Sequence, residues 1–67
     1  MGERITITLE TGNAAFDDAP ATEIGRILRE LADRIERDGI PPDYLYDVNG
    51  NRVGRVDVKR LRATGRA

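Results

Sequence analysis

From Glu3 to Glu10 apolar and polar residues alternate, with Ile5, Ile7 and Leu9 on one side and Arg4, Thr6 and Thr8 on the other. A period of two marks a strand with one buried face, and a strand is expected over 3–10. From Ile24 the spacing changes. Ile24, Ile27, Leu28, Leu31 and Ile35 recur at the three- and four-residue steps that gather on one stripe of a helix, which predicts a helix over 20–38. Pro20 suits its first turn, where a missing N–H costs nothing; Asp17 or Asp18 supplies the cap, and Glu23 lies at the positive end of the dipole. At the far end Gly39 closes the helix, Ile40 folds back onto the apolar stripe, and Pro41-Pro42 forbids continuation. On the outer face Glu30 and Arg34, and Asp33 and Arg37, stand four apart in the favourable order.

After the prolines two β-rich runs flank Asn49-Gly50, and both of these residues accept the positive φ of a type I′ turn, so a hairpin is expected over 44–58. A two-residue turn sets Tyr46 against Val53 and Leu45 against Gly54. Leu45, Val56 and Val58 then share one face, and Tyr44, Tyr46, Val48 and Val53 share the other. The order is β-α-β-β within a single domain, 1–67. The expected fold class is α+β, a three-stranded antiparallel sheet with one amphipathic helix on one face. The third strand is expected in the middle, beside the first; a central first strand is the alternative. One helix shields one sheet face, so the other, carrying Thr6, Thr8, Tyr44, Tyr46 and Val53, is left open.

Composition narrows what that open face is for. A chain of 67 residues holds one small core, and Leu, Ile, Val and Phe make up only about a quarter of it, so association with another molecule is expected to help it. There is no Cys and no His, which removes disulfides, thiolate zinc sites, the commonest general base and the commonest transition-metal ligand. No apolar run reaches membrane-spanning length and no basic-then-apolar segment opens the chain; a soluble protein of the cytoplasm is the expectation. The net charge of −1 hides an asymmetry. Residues 1–23 set Glu3, Glu10, Asp17, Asp18 and Glu23 against Arg4 alone, whereas the tail at 59–67, expected to fray beyond Lys59, holds Lys59, Arg60, Arg62 and Arg66 and no acid.

Few motifs carry chemistry. The stretch DVNGN has the oxygen-rich look of a calcium loop, but counted from Asp47 the glycine falls at four and position twelve is Val58, so calcium is rejected and Asp47 reads as a turn-flanking residue. Asp17 and Asp18 diverge as neighbours and have no nucleophile beside them, which leaves helix capping, or an acidic patch with Glu23 facing a basic partner. Phe16, the only phenylalanine, either folds under the first helical turn against Ile24 or stands out as an anchor. Tyr44 and Tyr46 share a strand face, as stacking rings do in RNA-binding sheets, with Arg4, Arg52 and Arg55 as the nearby cations; the plainer reading is a half-covered or self-associating face.

The blocks ITLETGNAAF, ILRELADRIE and DVNGNRVG, with Pro20 between the first two, resemble a family of short uncharacterised proteins of tailed bacteriophages and of prophages in proteobacteria, over roughly residues 4–56. The resemblance implies a setting and assigns no functional residue. It implies a small binding protein, such as an inhibitor of host defence of the anti-CRISPR kind. The expected function is therefore non-enzymatic binding of a host protein, with Phe16, Tyr44 and Tyr46 as anchors, Asp17, Asp18 and Glu23 steering a basic partner, and a homodimer formed through the open sheet face. The alternative is a nucleic-acid-binding accessory protein using Arg52, Arg55, Lys59, Arg60 and Arg62. No cofactor and no metal are expected in either case.

Overall fold

Alternation along residues 2–9 and a helical stripe after Ile24 produce the first strand and the helix of the computed structural model, which describes residues 2–61. Strand β1 is Gly2–Leu9, a 3-10 turn follows at Ala14–Phe16, helix α1 is Pro20–Asp38, strand β2 is Tyr44–Tyr46, and strand β3 is Arg52–Leu61. The fold is α+β with a three-stranded antiparallel sheet in the order β1-β3-β2, so the third strand lies in the middle beside the first. Ile5 faces Val58 and Ile7 faces Val56 across the long β1–β3 ladder. Beyond Lys59, Arg60 and Leu61 continue β3 as strand instead of fraying, because β1 runs far enough to pair with them; the rest of the basic tail, Arg62 included, lies outside the described residues. Among the described residues no helix is long and apolar enough to cross a membrane.

The two ends of the helix are closed by different chemistry. Gly39 adopts φ 81° and donates its N–H to the Ile35 carbonyl at 2.8 Å, as a left-handed C-terminal residue does. Neither Asp17 nor Asp18 caps α1: the residue at that position is Ala19, which offers no side-chain acceptor. The preceding 3-10 turn is the reason. It occupies Ala14–Phe16 and takes the Asp17 N–H onto the Ala14 carbonyl, while Asn13 does the capping by accepting the Ala15 N–H at 3.1 Å. Ile40 does not fold back but is exposed, and Pro42 lines the crevice beside Ile27 and Leu31 in its place. Glu30 pairs with Arg26 rather than Arg34, and Arg37 with its neighbour Asp38 rather than Asp33.

The hairpin turn is centred earlier than Asn49-Gly50. Gly50 N–H bonds to the Asp47 carbonyl at 3.0 Å, which makes Val48 and Asn49 the central residues and places Gly50, with φ 84°, at the closing position. Leu45 faces Gly54 as expected, yet Tyr46 faces Arg52 and not Val53, because the ladder is irregular between Leu45 and Tyr46. Val53 is the extra residue of that bulge. Freed from strict alternation, it is buried in the core and not left on the outer face.

The core consists of Phe16, Ile27, Leu31, Leu45, Val53 and Val56, with Leu9, Ala15, Ile24 and Ile35 packed around it. Helix α1 packs mainly on the 3-10 turn and on β2, hence over the turn end of the sheet only. The same apolar face continues along the ladder without cover. Ile5 is 51 % exposed, Ile7 44 %, and Val58, expected inside with Leu45 and Val56, is exposed too.

Candidate interaction surface

Strand β2 turns Leu45 inward and leaves Tyr44 and Tyr46 on its flanks, 43 % and 46 % exposed, with Ile40 and Val48 exposed before and after them in the chain. Three residues of strand would be a weak platform alone. What holds this one is a polar network seated at the junction of the hairpin turn, the 3-10 turn and the start of α1.

Asp47, expected only to flank the turn, is its hub. Its side chain is buried and accepts from the N–H groups of Asn49 and Asn51 at 2.8 and 2.9 Å, from Asn51 Nδ2 at 3.2 Å and from Asn13 Nδ2 at 2.8 Å. Glu23 is the second member. Arg26 reaches it with Nε at 3.0 Å and Nη2 at 2.9 Å, a two-pronged contact, and its Oε2 also accepts the Val48 N–H at 2.9 Å. Arg26 Nη2 lies 3.4 Å from the Tyr46 carbonyl as well. The turn that carries Tyr46 and Val48 is therefore tied to the helix by charged hydrogen bonds.

Both carboxyls are held below their ordinary range. For Glu23 the Arg26 hydrogen bonds are the largest influence, opposed by burial and assisted by the Val48 amide. For Asp47 burial is the largest single influence and pushes upward, but the combined donors of Asn51, Asn49 and Asn13 overturn it. A carboxyl with a lower pKa folded than unfolded stabilises the fold above the unfolded value, and that contribution is lost as pH falls through the folded one. The melting temperature should hold down to about pH 5 and decline below about pH 4, where free carboxyls take up protons. Asp47→Asn should melt lower at neutral pH and decline less steeply in acid. Thermal melts in a pH series check both, and a wild-type midpoint that is flat between about pH 3 and pH 6 would contradict the role given to these groups.

The residues singled out in the sequence separate into used and unused. Phe16 is 3 % exposed and belongs to the core, so it is no surface anchor. Glu23 is buried and engaged with Arg26 and Val48, which removes it from any acidic patch. Asp17 and Asp18 remain exposed at the entry to α1.

Of the cations, Arg52 sets its guanidinium carbon 4.4 Å from the centre of the Tyr44 ring, a cation–π contact that braces the tyrosine. Arg55 pairs with Asp57 at 2.7 Å. Cross-strand neighbours share a face, so Arg4 with Lys59, Thr6 with Asp57, and Thr8 with Arg55 and Tyr44 form one polar, basic face. Arg60 faces Glu3 on the opposite side, beside Ile5 and Val58, so Arg52, Arg55, Lys59 and Arg60 do not make one patch. Arg4, close in space to Lys59 but far in sequence, joins it only through the register. A shallow open concavity runs past Tyr44, lined by Thr8, Glu10, Gly12, Arg52 and Arg55.

Comparison with protein-family models, with curated proteins and with solved structures gives no match to this chain.

Proposed function

We propose that the protein acts without catalysis, by docking the β2 edge, with Tyr44 and Tyr46 as its anchors, onto a protein of a bacterial host, in the setting of a phage or prophage product that blocks host defence. The reading is supported chiefly by one observation. Two large aromatic side chains stand out from a strand whose turn is tied down by Asp47 and Glu23. Rigid, partly exposed tyrosines are what binding hot spots are made of, since they bury much area and lose few rotamers on contact. Asp17 and Asp18 remain available to steer a basic partner.

The experiment is the double variant Tyr44→Ser/Tyr46→Ser, compared with wild type in affinity capture from host lysate and in thermal melting. The expected outcome is loss of at least tenfold in recovery of whatever host protein the wild type retains, with the midpoint changed by only a few degrees, since both rings are outside the core. Unchanged capture by a folded variant would sink the reading.

A second reading, nucleic-acid binding, is supported by the face that Arg4, Arg55 and Lys59 share with Tyr44. Its signature in the same protein is retention of a labelled single-stranded oligonucleotide that weakens steeply with salt, as phosphate contacts require.

A further inference from the structure

Strand β1 is an edge. It carries eight residues, contains no Pro, and receives no cover from α1 that compares with the packing of the helix on β2. Edges of this length are usually blunted by bulges, prolines or inward charges, because a row of free N–H and C=O groups recruits another strand. The register identifies which groups are free. Glu10 donates its N–H to the Val53 carbonyl, so the even-numbered residues of β1 bond inward to β3 and Glu3, Ile5, Ile7 and Leu9 point their backbone groups outward.

We propose that two copies of the chain pair β1 against β1, antiparallel about a two-fold axis at Ile7, to make one continuous six-stranded sheet. This inference is independent of the tyrosine edge, which lies on the other side of the sheet. The axis is chosen by self-complementarity. With Ile7 opposite Ile7, Ile5 stands opposite Leu9 of the second copy, Thr6 opposite Thr8, and Arg4 opposite Glu10, each twice by symmetry. Outward-pointing residues then meet outward-pointing residues, as an antiparallel ladder demands. Centring on Arg4 sets two arginines together, and centring on Ile5 sets Glu3 against Ile7. Centring on Thr6 sets Glu3 against Leu9, and centring on Thr8 sets Arg4 against Gly12, while a relative slip of one residue sets outward-pointing residues against inward-pointing ones. Pairing through the edge also merges the two uncovered rows of Ile5, Ile7 and Val58 into one apolar surface on the helix side. Association through the open face instead would bring the cations Arg4, Arg55 and Lys59 of both copies into one interface.

The chain contains no cysteine, so a single introduced one reports on the axis. Facing residues of a bonded antiparallel pair lie about 5.5 Å apart at Cα, within disulfide range, whereas Ile5 and its equivalent would be about 13 Å apart along the strands. Under mild oxidation Ile7→Cys should become covalently dimeric and Ile5→Cys should not. In analytical ultracentrifugation the wild type should sediment at twice the 7.4 kDa chain mass and Ile7→Lys at once that mass, with an unchanged circular dichroism spectrum. Arg4→Glu should weaken the dimer at least tenfold and Arg4→Glu/Glu10→Arg should restore it. A wild type that stays monomeric at high micromolar concentration, equal cross-linking at both cysteines, or a dimer indifferent to Ile7→Lys would each overturn the proposal.

Discussion

Phe16→Ala should leave the protein largely unfolded at room temperature. Phe16 is the only aromatic ring in the core, where it brings the 3-10 turn into one cluster with the helix residues Ile27 and Leu31 and the strand residues Leu45, Val53 and Val56. Truncating a buried phenylalanine costs about 3–5 kcal/mol, from lost transfer energy and from the cavity left behind. Domains carry about 0.05–0.15 kcal/mol of stability per residue, which for 67 residues amounts to about 3–10 kcal/mol. The loss is thus comparable to the whole. The cavity cannot collapse easily, because among the described residues α1 meets the sheet mainly through β2 and this turn. Urea titration followed by circular dichroism measures the effect, and Phe16→Leu should recover most of it by keeping an apolar group of similar bulk. A variant Phe16→Ala that melts within a few degrees of wild type would mean that the ring packs against little, as an exposed anchor does.

Local pattern made much of this fold legible. The helix observed at Pro20–Asp38 is the one that the stripe and the Pro and Gly signals mark out, and the alternation over β1 and the pairing of Leu45 with Gly54 hold as well. What escaped was set by contacts between distant residues or by side chains competing with the backbone. The turn is centred before Asn49-Gly50 because the Asp47 carboxylate offers two N–H groups, those of Asn49 and Asn51, a better acceptor than a two-residue turn provides. The place of Glu23 depends on Val48, twenty-five positions away, and nothing in the first helical turn announces that. Asn13 bears both of its roles, capping the Ala15 N–H and donating to Asp47, with no signal beyond its position after Gly12.

The uncovered apolar row was the other surprise, and it follows from arithmetic along the strands. The ladder between β1 and β3 extends to Gly2 and Leu61, but a helix whose contacts are with β2 and the 3-10 turn sits over the turn end only. Leu28, on the expected stripe, is consequently exposed as Ile5, Ile7 and Val58 are. Alternation reveals which face of a strand is apolar; it does not reveal how far along that face the cover reaches. For the same reason the tyrosine edge and the β1 edge emerge as separate surfaces at opposite sides of one sheet, where the sequence alone offered a single open face.

Gly54→Ala should damage the sheet more than any other change of one methyl group. Gly54 lies on the central strand, between Leu9 of β1 and Leu45 of β2. A Cβ there would be driven into the Thr8 carbonyl oxygen and would lie 2.8 Å from Leu9 Cδ2 and 3.4 Å from Leu45 Cδ1. A leucine can swing aside, but the Thr8 oxygen is backbone, so relief requires β1 to move away from β3 where Glu10 N–H meets the Val53 carbonyl at 2.8 Å. Overpacking a core costs about 1–3 kcal/mol and sometimes more, and a rigid obstacle puts this case at about 3 kcal/mol. In a domain of this size that corresponds to a fall in melting temperature of roughly 12–24 °C. Gly12→Ala is the control, since a Cβ at Gly12 meets nothing within 4 Å and should change stability by less than about 0.5 kcal/mol. Should Gly54→Ala melt as the control does, β1 and β3 have slack at this crossing, and the close approach that seats Leu9 and Leu45 against the core is not what holds the strands in register.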